Sequence, residues 1–152
     1  MHHLLFRVGS ECFAISLRDI EVILPVPILE PLSGGGPGVA GLLRFRERRI
    51  PVIDVSVLRG AEPICPLIST RLVLLQSSAA NPSRLALMVE HALEVVELAP
   101  VDALPNAVTD ERDYWLFPEV ISSGPFLVRI ANWSKLLTEE LLQLSAPGSE
   151  GE

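Results

Sequence analysis

The sequence predicts an all-β fold, and three observations support this prediction. Thirteen prolines and ten glycines divide the apolar stretches into pieces of about four to eight residues, a length typical of strands. Hydrophobic residues make up 49% of the chain, which is enough to build a core. The two halves of the chain also resemble each other, which favours a pair of similar β subdomains over one irregular unit.

The apolar runs predict strands in both halves of the chain, separated by polar or glycine-containing turns such as residues 9–11. These candidate strands span residues 4–8, 12–16, 21–24, 39–44, 49–55, 71–76, 84–89, 93–98, 114–117 and 126–130. Asn132 is a good N-cap for one C-terminal helix that begins at Trp133 and continues through a leucine-rich segment. Residues 145–152 are small, polar or acidic, and we expect a disordered tail there.

The internal repeat relates two pairs of segments. Residues 19–23 resemble residues 92–96, and residues 52–54 resemble residues 130–132, with a leucine following at the same distance in each case. Each half is too small to bury enough apolar surface alone. The repeat therefore predicts two similar five-stranded barrels packed side by side within a single domain that covers residues 1–144.

Composition limits the classes of partner. The net charge of −7 disfavours nucleic acid and anionic membrane surfaces, because both are bound mainly through Lys and Arg. The longest apolar stretch contains Pro25 and Pro27 and is shorter than the roughly 20 residues of a membrane-spanning helix. No secretion signal is apparent, so we expect a cytoplasmic location. Cys12 and Cys65 form no short-spaced pair and are assigned no chemical role.

No catalytic, metal-binding or cofactor-binding constellation is found. His91 has Glu90 and Glu94 nearby, but a catalytic metal generally needs three protein ligands, so a histidine in a turn is the favoured interpretation. The glycine-rich run at residues 34–38 lacks the lysine of a phosphate-binding loop and is interpreted as a flexible connection. Asp54, at the end of an apolar strand, is interpreted as a cap for the following turn.

The densest basic cluster lies between Arg44 and Arg49 and includes a single aromatic residue, Phe45. A charged hairpin turn between two apolar strands explains this pattern without any partner. If the cluster binds something, an acidic protein surface fits the charge well. The alternative is a small β-barrel that binds nucleic acid or oligosaccharide through this hairpin.

Residues 39–55 resemble the signature of CheW-like domains. The segment reads V-A-G-L-L-R-F-R-E-R-R-I-P-V-I-D-V, and the family pattern is V-x-G-x-x-N-L-R-G followed by a strand that ends in P-V-I-D-L. Residues 13–23 resemble the family's early strand pair, and residues 86–90 with 94–96 resemble its second-half segment. The resemblance covers about residues 4–142.

The resemblance implies two intertwined five-stranded barrels of the Src-homology-3-like kind, with no enzyme activity and no cofactor. It also implies two partners: the regulatory domain of a CheA-type histidine kinase and the cytoplasmic tip of a methyl-accepting chemoreceptor. Such a protein would be a cytoplasmic adapter, a monomer that assembles into arrays with membrane receptors without inserting into the membrane itself.

The resemblance also implies site residues. Gly41 matches the family glycine implicated in kinase docking, and Ile20 and Arg46 match positions implicated in receptor contact. The implied kinase-binding residues are Gly41, Val39 and Leu42, and the implied receptor-binding residues are Ile20, Val22, Arg46, Leu43 and Phe45. Val22 replaces a usual glutamate and Glu47 a usual turn glycine. These departures favour a dedicated pathway, such as one that controls surface behaviour or second-messenger synthesis.

Overall fold

The computed structural model is built almost entirely from β-strands, as the sequence predicts. It describes residues 2–32, 38–76, 85–99, 103–105, 114–124 and 126–136. Within these ranges the strands are β1 (His2–Val8), β2 (Glu11–Ser16), β3 (Ile20–Pro25), β4 (Val39–Phe45), β5 (Arg48–Asp54), β6 (Thr70–Leu75), β7 (Leu85–Glu97), β8 (Ala103–Pro105), β9 (Leu116–Ser123) and β10 (Phe126–Ala131). Short helical turns follow three of them: 3-10 helices at Leu17–Asp19 and Trp133–Leu136, and α1 at Val55–Leu58.

The first barrel contains β3, β4, β5, β6 and the first part of β7. Strand β6 pairs antiparallel with both β3 and β7, and β5 pairs antiparallel with β4 and parallel with β7. A single bridge between Glu30 and Leu42 joins the chain after β3 to β4 and closes the ring. This gives the predicted five strands.

The second barrel contains the end of β7 together with β1, β2, β10 and β9, in that order, and the short β8 at its edge. Strands β2 and β10 pair in parallel, as β5 and β7 do in the first barrel. In each barrel the parallel-paired strand, β5 or β10, runs into a short helical turn. The predicted repeat is therefore present in the structure.

The two barrels exchange strands. The N-terminal hairpin β1–β2 belongs to the second barrel, whereas the next three strands belong to the first. Strand β7 returns the chain to the second barrel: residues 85–90 pair with β6, and Glu90 together with residues 94–97 pairs with β1. The crossing point is His91, which is exposed and has a φ of 52°. His91 was interpreted as a turn residue, but it lies inside β7, where its positive φ marks an irregularity in the strand instead of a turn.

The described residues form three apolar clusters. One contains Leu72, Leu74 and Met88 inside the first barrel, and another contains Leu5 and Ala14 inside the second. The third and largest contains alternate residues of the same strands, β1, β2, β6 and β7, and lies between the barrels. Strands β1, β2, β6 and β7 are therefore buried on both faces. This explains why their sequences are continuous apolar runs without a polar residue at every second position.

Several predicted elements differ from the observed ones. Residues 84–89 and 93–98 were predicted as two strands but form the single strand β7. The prediction at 114–117 captures only the beginning of β9, and β8 was not predicted. A three-residue edge strand has too short an apolar pattern to identify. The predicted C-terminal helix begins as a 3-10 turn, and its continuation and the predicted tail lie outside the described residues.

The β4–β5 hairpin turns through two non-glycine residues with positive φ angles. Arg46 has a φ of 50° and Glu47 a φ of 66°, between the paired residues Phe45 and Arg48. Such two-residue turns favour Asn and Gly because other side chains are strained in the left-handed region. This turn therefore carries backbone strain at Glu47, where the family pattern has glycine.

We predict that Glu47→Gly stabilises the protein by about 1 kcal/mol, because glycine removes this strain. Urea unfolding monitored by circular dichroism measures the change. Glu47→Ala is the matched control, since it removes the same carboxylate but keeps the Cβ atom. A glycine variant no more stable than the alanine variant would contradict a strained turn.

Candidate functional site

An apolar groove opens in the wall of the first barrel, with a volume of about 650 Å³. One wall is the chain after β3, which contributes Val26 and Ile28. The opposite wall contains Val39 at the start of β4, Val57 of α1 and Ile64. Ile28, which lines the groove, is 99% exposed.

Two prolines explain why the barrel wall opens here. Pro25 ends β3, and Pro27 follows two residues later. Since proline has no backbone N–H, the chain cannot continue a regular ladder through these positions. Pairing resumes only at Glu30, whose N–H donates to the Leu42 carbonyl at 2.8 Å and whose carbonyl accepts from the Leu42 N–H at 2.9 Å. The intervening residues stand away from β4 and leave the groove.

Gly41 lies where this segment rejoins the barrel. It is buried and has a φ of 150°, and a Cβ atom built on it would lie 2.7 Å from the Glu30 carbonyl oxygen and 3.1 Å from the Leu29 Cβ. The missing side chain therefore allows a close approach by the chain's own backbone. Gly41 fixes one wall of the groove instead of offering a free surface.

Asp54 holds the other wall in place. Its Oδ1 accepts a hydrogen bond from the Ser56 N–H at 2.9 Å, which is the predicted cap, and its Oδ2 accepts one from the Ile64 N–H at 2.8 Å. The Ser56 hydroxyl donates to the Glu62 carbonyl at 2.8 Å. These bonds attach the loop after α1 to the end of β5, and both carboxylate oxygens of Asp54 are occupied by backbone donors.

The hairpin between β4 and β5 forms a second exposed feature. Phe45 is half-buried against the core of the first barrel. The Arg46 guanidinium lies 4.9 Å from the centre of its ring, and the Arg48 guanidinium lies 5.8 Å from it. Arg46 is exposed, and no carboxylate pairs with it among the residues that the structure describes. This guanidinium is available to an acidic partner.

The other arginines of the hairpin are largely compensated by glutamates. The pairs are Arg44 with Glu30 at 3.8 Å, Arg49 with Glu30 at 3.3 Å and Arg48 with Glu21 at 3.4 Å. The Nε of Arg49 approaches Glu30 without hydrogen-bond geometry, so this contact is an ion pair only. With Glu47 counted, four arginines face three glutamates, for a local charge of +1. Such a small excess does not favour binding to a phosphate backbone.

The remaining residues assigned to receptor contact are less accessible. Leu43 is 3% exposed and lies in the first-barrel core. Ile20 packs against the cluster between the barrels and Val22 against the first-barrel cluster, because an irregularity in the β3–β6 register separates them. Ile23, which sequence reasoning missed, is 40% exposed on the same strand. A strand bulge reverses the facing of side chains, and the sequence carries no clear signal for it.

The assigned kinase-binding residues also differ in accessibility. Val39 is half-buried and lines the groove, whereas Leu42 is 8% exposed and belongs to the core. Leu42 therefore positions the backbone bridge to Glu30 and does not present a side chain to a partner in this conformation. Ile28 lines the same groove as Val39 and is 99% exposed, but the resemblance did not identify it.

The described residues contain no group of three His, Cys, Asp or Glu side chains that could hold a metal ion. The exposed His91 has no side-chain partner within the same part of the chain. Cys12 is buried and Cys65 is exposed, and both are free thiols.

Sequence comparison identifies the family of this chain. The sequence profile of the CheW-like domain matches residues 2–140. The chain belongs to the CheW-like domain family. A search of the curated proteins found no match.

The CheW-like fold is also found in a similar solved structure, the scaffolding protein TtCheW from Thermoanaerobacter tengcongensis. The TM-score is 0.76 at 15% sequence identity, and the match covers 90% of this chain and 87% of that one. At this identity the likeness concerns the fold. In the described ranges of this CheW-like domain, no helix has the length and apolar character needed to cross a membrane.

We predict that Gly41→Ala lowers the free energy of unfolding by about 2 kcal/mol more than Gly60→Ala, because only the first substitution forces a Cβ atom against backbone. Gly60 is the matched control: its φ is 78°, but a Cβ atom there meets nothing within 4 Å. Urea unfolding of both variants measures the difference. Equal losses would show that the contact with Glu30 does not constrain position 41.

Proposed function

We propose that this chain is a non-catalytic coupling protein that joins the regulatory domain of a CheA-type histidine kinase to the cytoplasmic tip of a methyl-accepting chemoreceptor. Membership of the CheW-like family supports this proposal. The observation that carries it is the placement of two exposed features at opposite ends of β4. Val39 begins the strand at the groove, and Phe45 ends it at the arginine hairpin. At about 3.3 Å per residue, the two features lie roughly 20 Å apart.

The groove is the proposed binding site for the kinase. Its lining is mainly apolar, and Ile28 and Val39 offer side chains that gain by leaving water. Apolar pockets that exclude water hold the residues that dominate binding energy in many interfaces. Gly41 and Leu42 act here by holding the groove wall, so the proposed contact residues are Val39 and Ile28.

The arginine hairpin and the outer face of β3 form the proposed receptor surface. Phe45 and Ile23 supply partly exposed apolar area for the apolar face of a receptor helix. Arg46 supplies a charge that selects the register of that helix through an acidic side chain. Ile20 and Val22 support β3 from behind through the two apolar clusters.

The proposed mechanism is geometric. The β4–β5 hairpin is a rigid antiparallel pair, so partners at its two ends keep a fixed separation and orientation. A small movement of the receptor then changes the position of the kinase without any covalent step in this chain. We place this function in the cytoplasm, in arrays where several weak contacts act together. Val22 and Glu47, which depart from the family pattern, support a dedicated signalling pathway.

Replacement of Ile28 tests the kinase surface. We predict that Ile28→Asp weakens binding to the regulatory domain of the kinase from the same genome at least about tenfold, since a charge replaces an apolar contact. Calorimetric titration measures the dissociation constant. Because the Ile28 side chain is 99% exposed, its replacement leaves the fold intact, whereas a change at Gly41 disturbs the barrel itself.

Leu127→Asp is the matched control for this experiment. Leu127 is also a large apolar residue, 59% exposed, but it lies on β10 of the second barrel. The Leu127→Asp variant should bind the kinase domain with the same dissociation constant as the unchanged chain. Equal affinities for the unchanged chain and Ile28→Asp, or no binding by either protein, would rule out the groove as the kinase-binding site.

Charge reversal at Arg46 tests the receptor surface. We predict that Arg46→Glu weakens binding to a chemoreceptor tip fragment about tenfold and reduces the salt dependence of binding. Lys135→Glu, an exposed charge reversal in the C-terminal 3-10 turn, is the control. Surface plasmon resonance at two salt concentrations gives both quantities. An equal effect of the two substitutions would indicate a general charge effect without a specific site.

A further inference from the structure

A two-pronged ion pair connects the two barrels. The Nε of Arg59 donates to Oε1 of Glu11 at 2.9 Å, and its Nη2 donates to Oε2 at 2.9 Å. The Arg59 and Glu11 side chains are 16% and 32% exposed, and the guanidinium also lies 5.8 Å from the ring centre of Phe13. Guanidinium–carboxylate pairs of this kind have a fixed relative orientation and are among the stronger hydrogen-bonded contacts.

One side of this pair leads to the groove. Arg59 follows α1 directly, and its N–H donates to the Val55 carbonyl at 3.1 Å. The loop that begins at Arg59 is then held by Asp54 through the Ile64 N–H. Val57 and Ile64 line the groove, so the wall of the groove and the Arg59 side chain belong to one short, well-bonded segment.

The other side leads to the N-terminal hairpin of the second barrel. Glu11 is the first residue of β2, and Phe13 lies two residues further along the strand. The Phe13 ring is 5.6 Å from the Phe6 ring and 6.1 Å from each of the rings of Trp115 and Trp133. The ion pair therefore lies beside an aromatic cluster that contains both tryptophans of the chain.

We propose that the Arg59–Glu11 pair couples the groove wall of the first barrel to the β1–β2 hairpin of the second. Contacts within the large apolar cluster between the barrels are mostly non-directional, whereas the two hydrogen bonds of the ion pair fix the position of Arg59 relative to Glu11. A partner that displaces Ile64 or Val57 pulls on Glu11 through α1. The nature of that partner rests on the proposed function, but the coupling is a property of the free chain.

Hydrogen exchange of the free protein tests the coupling. We expect Glu11→Gln, which removes the charge but keeps the size of the side chain, to raise the exchange rate of the Ile64 amide about tenfold. The Ile64 N–H bonds to Asp54 and not to Glu11, so the proposed route from Glu11 to Ile64 runs through Arg59 and α1. An Ile64 amide that exchanges as in the unchanged chain would overturn the proposal.

Glu21→Gln is the matched control, because the Glu21–Arg48 pair is also partly buried but lies within the first barrel. It should leave the exchange of Ile64 unchanged. If Glu21→Gln has the same effect on Ile64, or if Glu11→Gln accelerates core amides such as Leu74 equally, the variant acts through global stability and the proposal fails.

The reverse direction is tested through tryptophan fluorescence. Asp54→Asn weakens the anchor of Ile64, and through the ion pair it should shift the emission of Trp115 and Trp133. The same substitution in an Arg59→Gln background should give no shift, since coupling between two sites is reciprocal and needs the connecting contact. An equal shift in both backgrounds would overturn the proposal. No kinase or receptor is present, so this outcome is independent of the proposed function.

Discussion

Burial of both faces of the central strands is the constraint on which this structure depends. In β1, β2, β6 and β7, one set of alternate side chains fills the interior of a barrel and the other set fills the space between the barrels. Neither barrel can lose its partner without exposing this shared layer, which contains Phe6, Phe13, Trp115 and Trp133. The exchange of hairpins between the halves follows, because it places these doubly apolar strands at the centre.

Because the central strands are buried on both faces, surfaces that a partner can contact lie at the outer strands and loops. Strands β3 and β4 reach the shared layer only through half-buried residues such as Ile20 and Val39, and the ends of these strands carry the exposed features. At one end, prolines and Gly41 shape an apolar groove, and at the other a strained turn presents Arg46. A rigid centre with variable edges suits an adapter, whose contacts can change while their separation stays fixed.

The assigned binding residues show what a motif can and cannot predict. The pattern around residues 39–55 covers the start of β4 at the groove and the arginine hairpin, but it did not separate exposed from buried positions. Leu43 supports the core, and Gly41 serves the barrel's own closure, whereas Ile28 lies in a segment without a motif. A sequence pattern contains both the buried residues that support a surface and the exposed residues that form it. Only the burial and contacts of each side chain distinguish the two kinds.

The sequence by itself determined the local structure. Periodicity, prolines and glycines predicted most of the strands, and Asp54 was recognisable as a cap, because these features depend on neighbours within a few residues. The tertiary structure decided which hairpin joins which barrel, where the groove opens and that Arg59 meets Glu11. Those outcomes depend on contacts between residues far apart in the chain, and local patterns do not record which distant partner a strand or a charge will find.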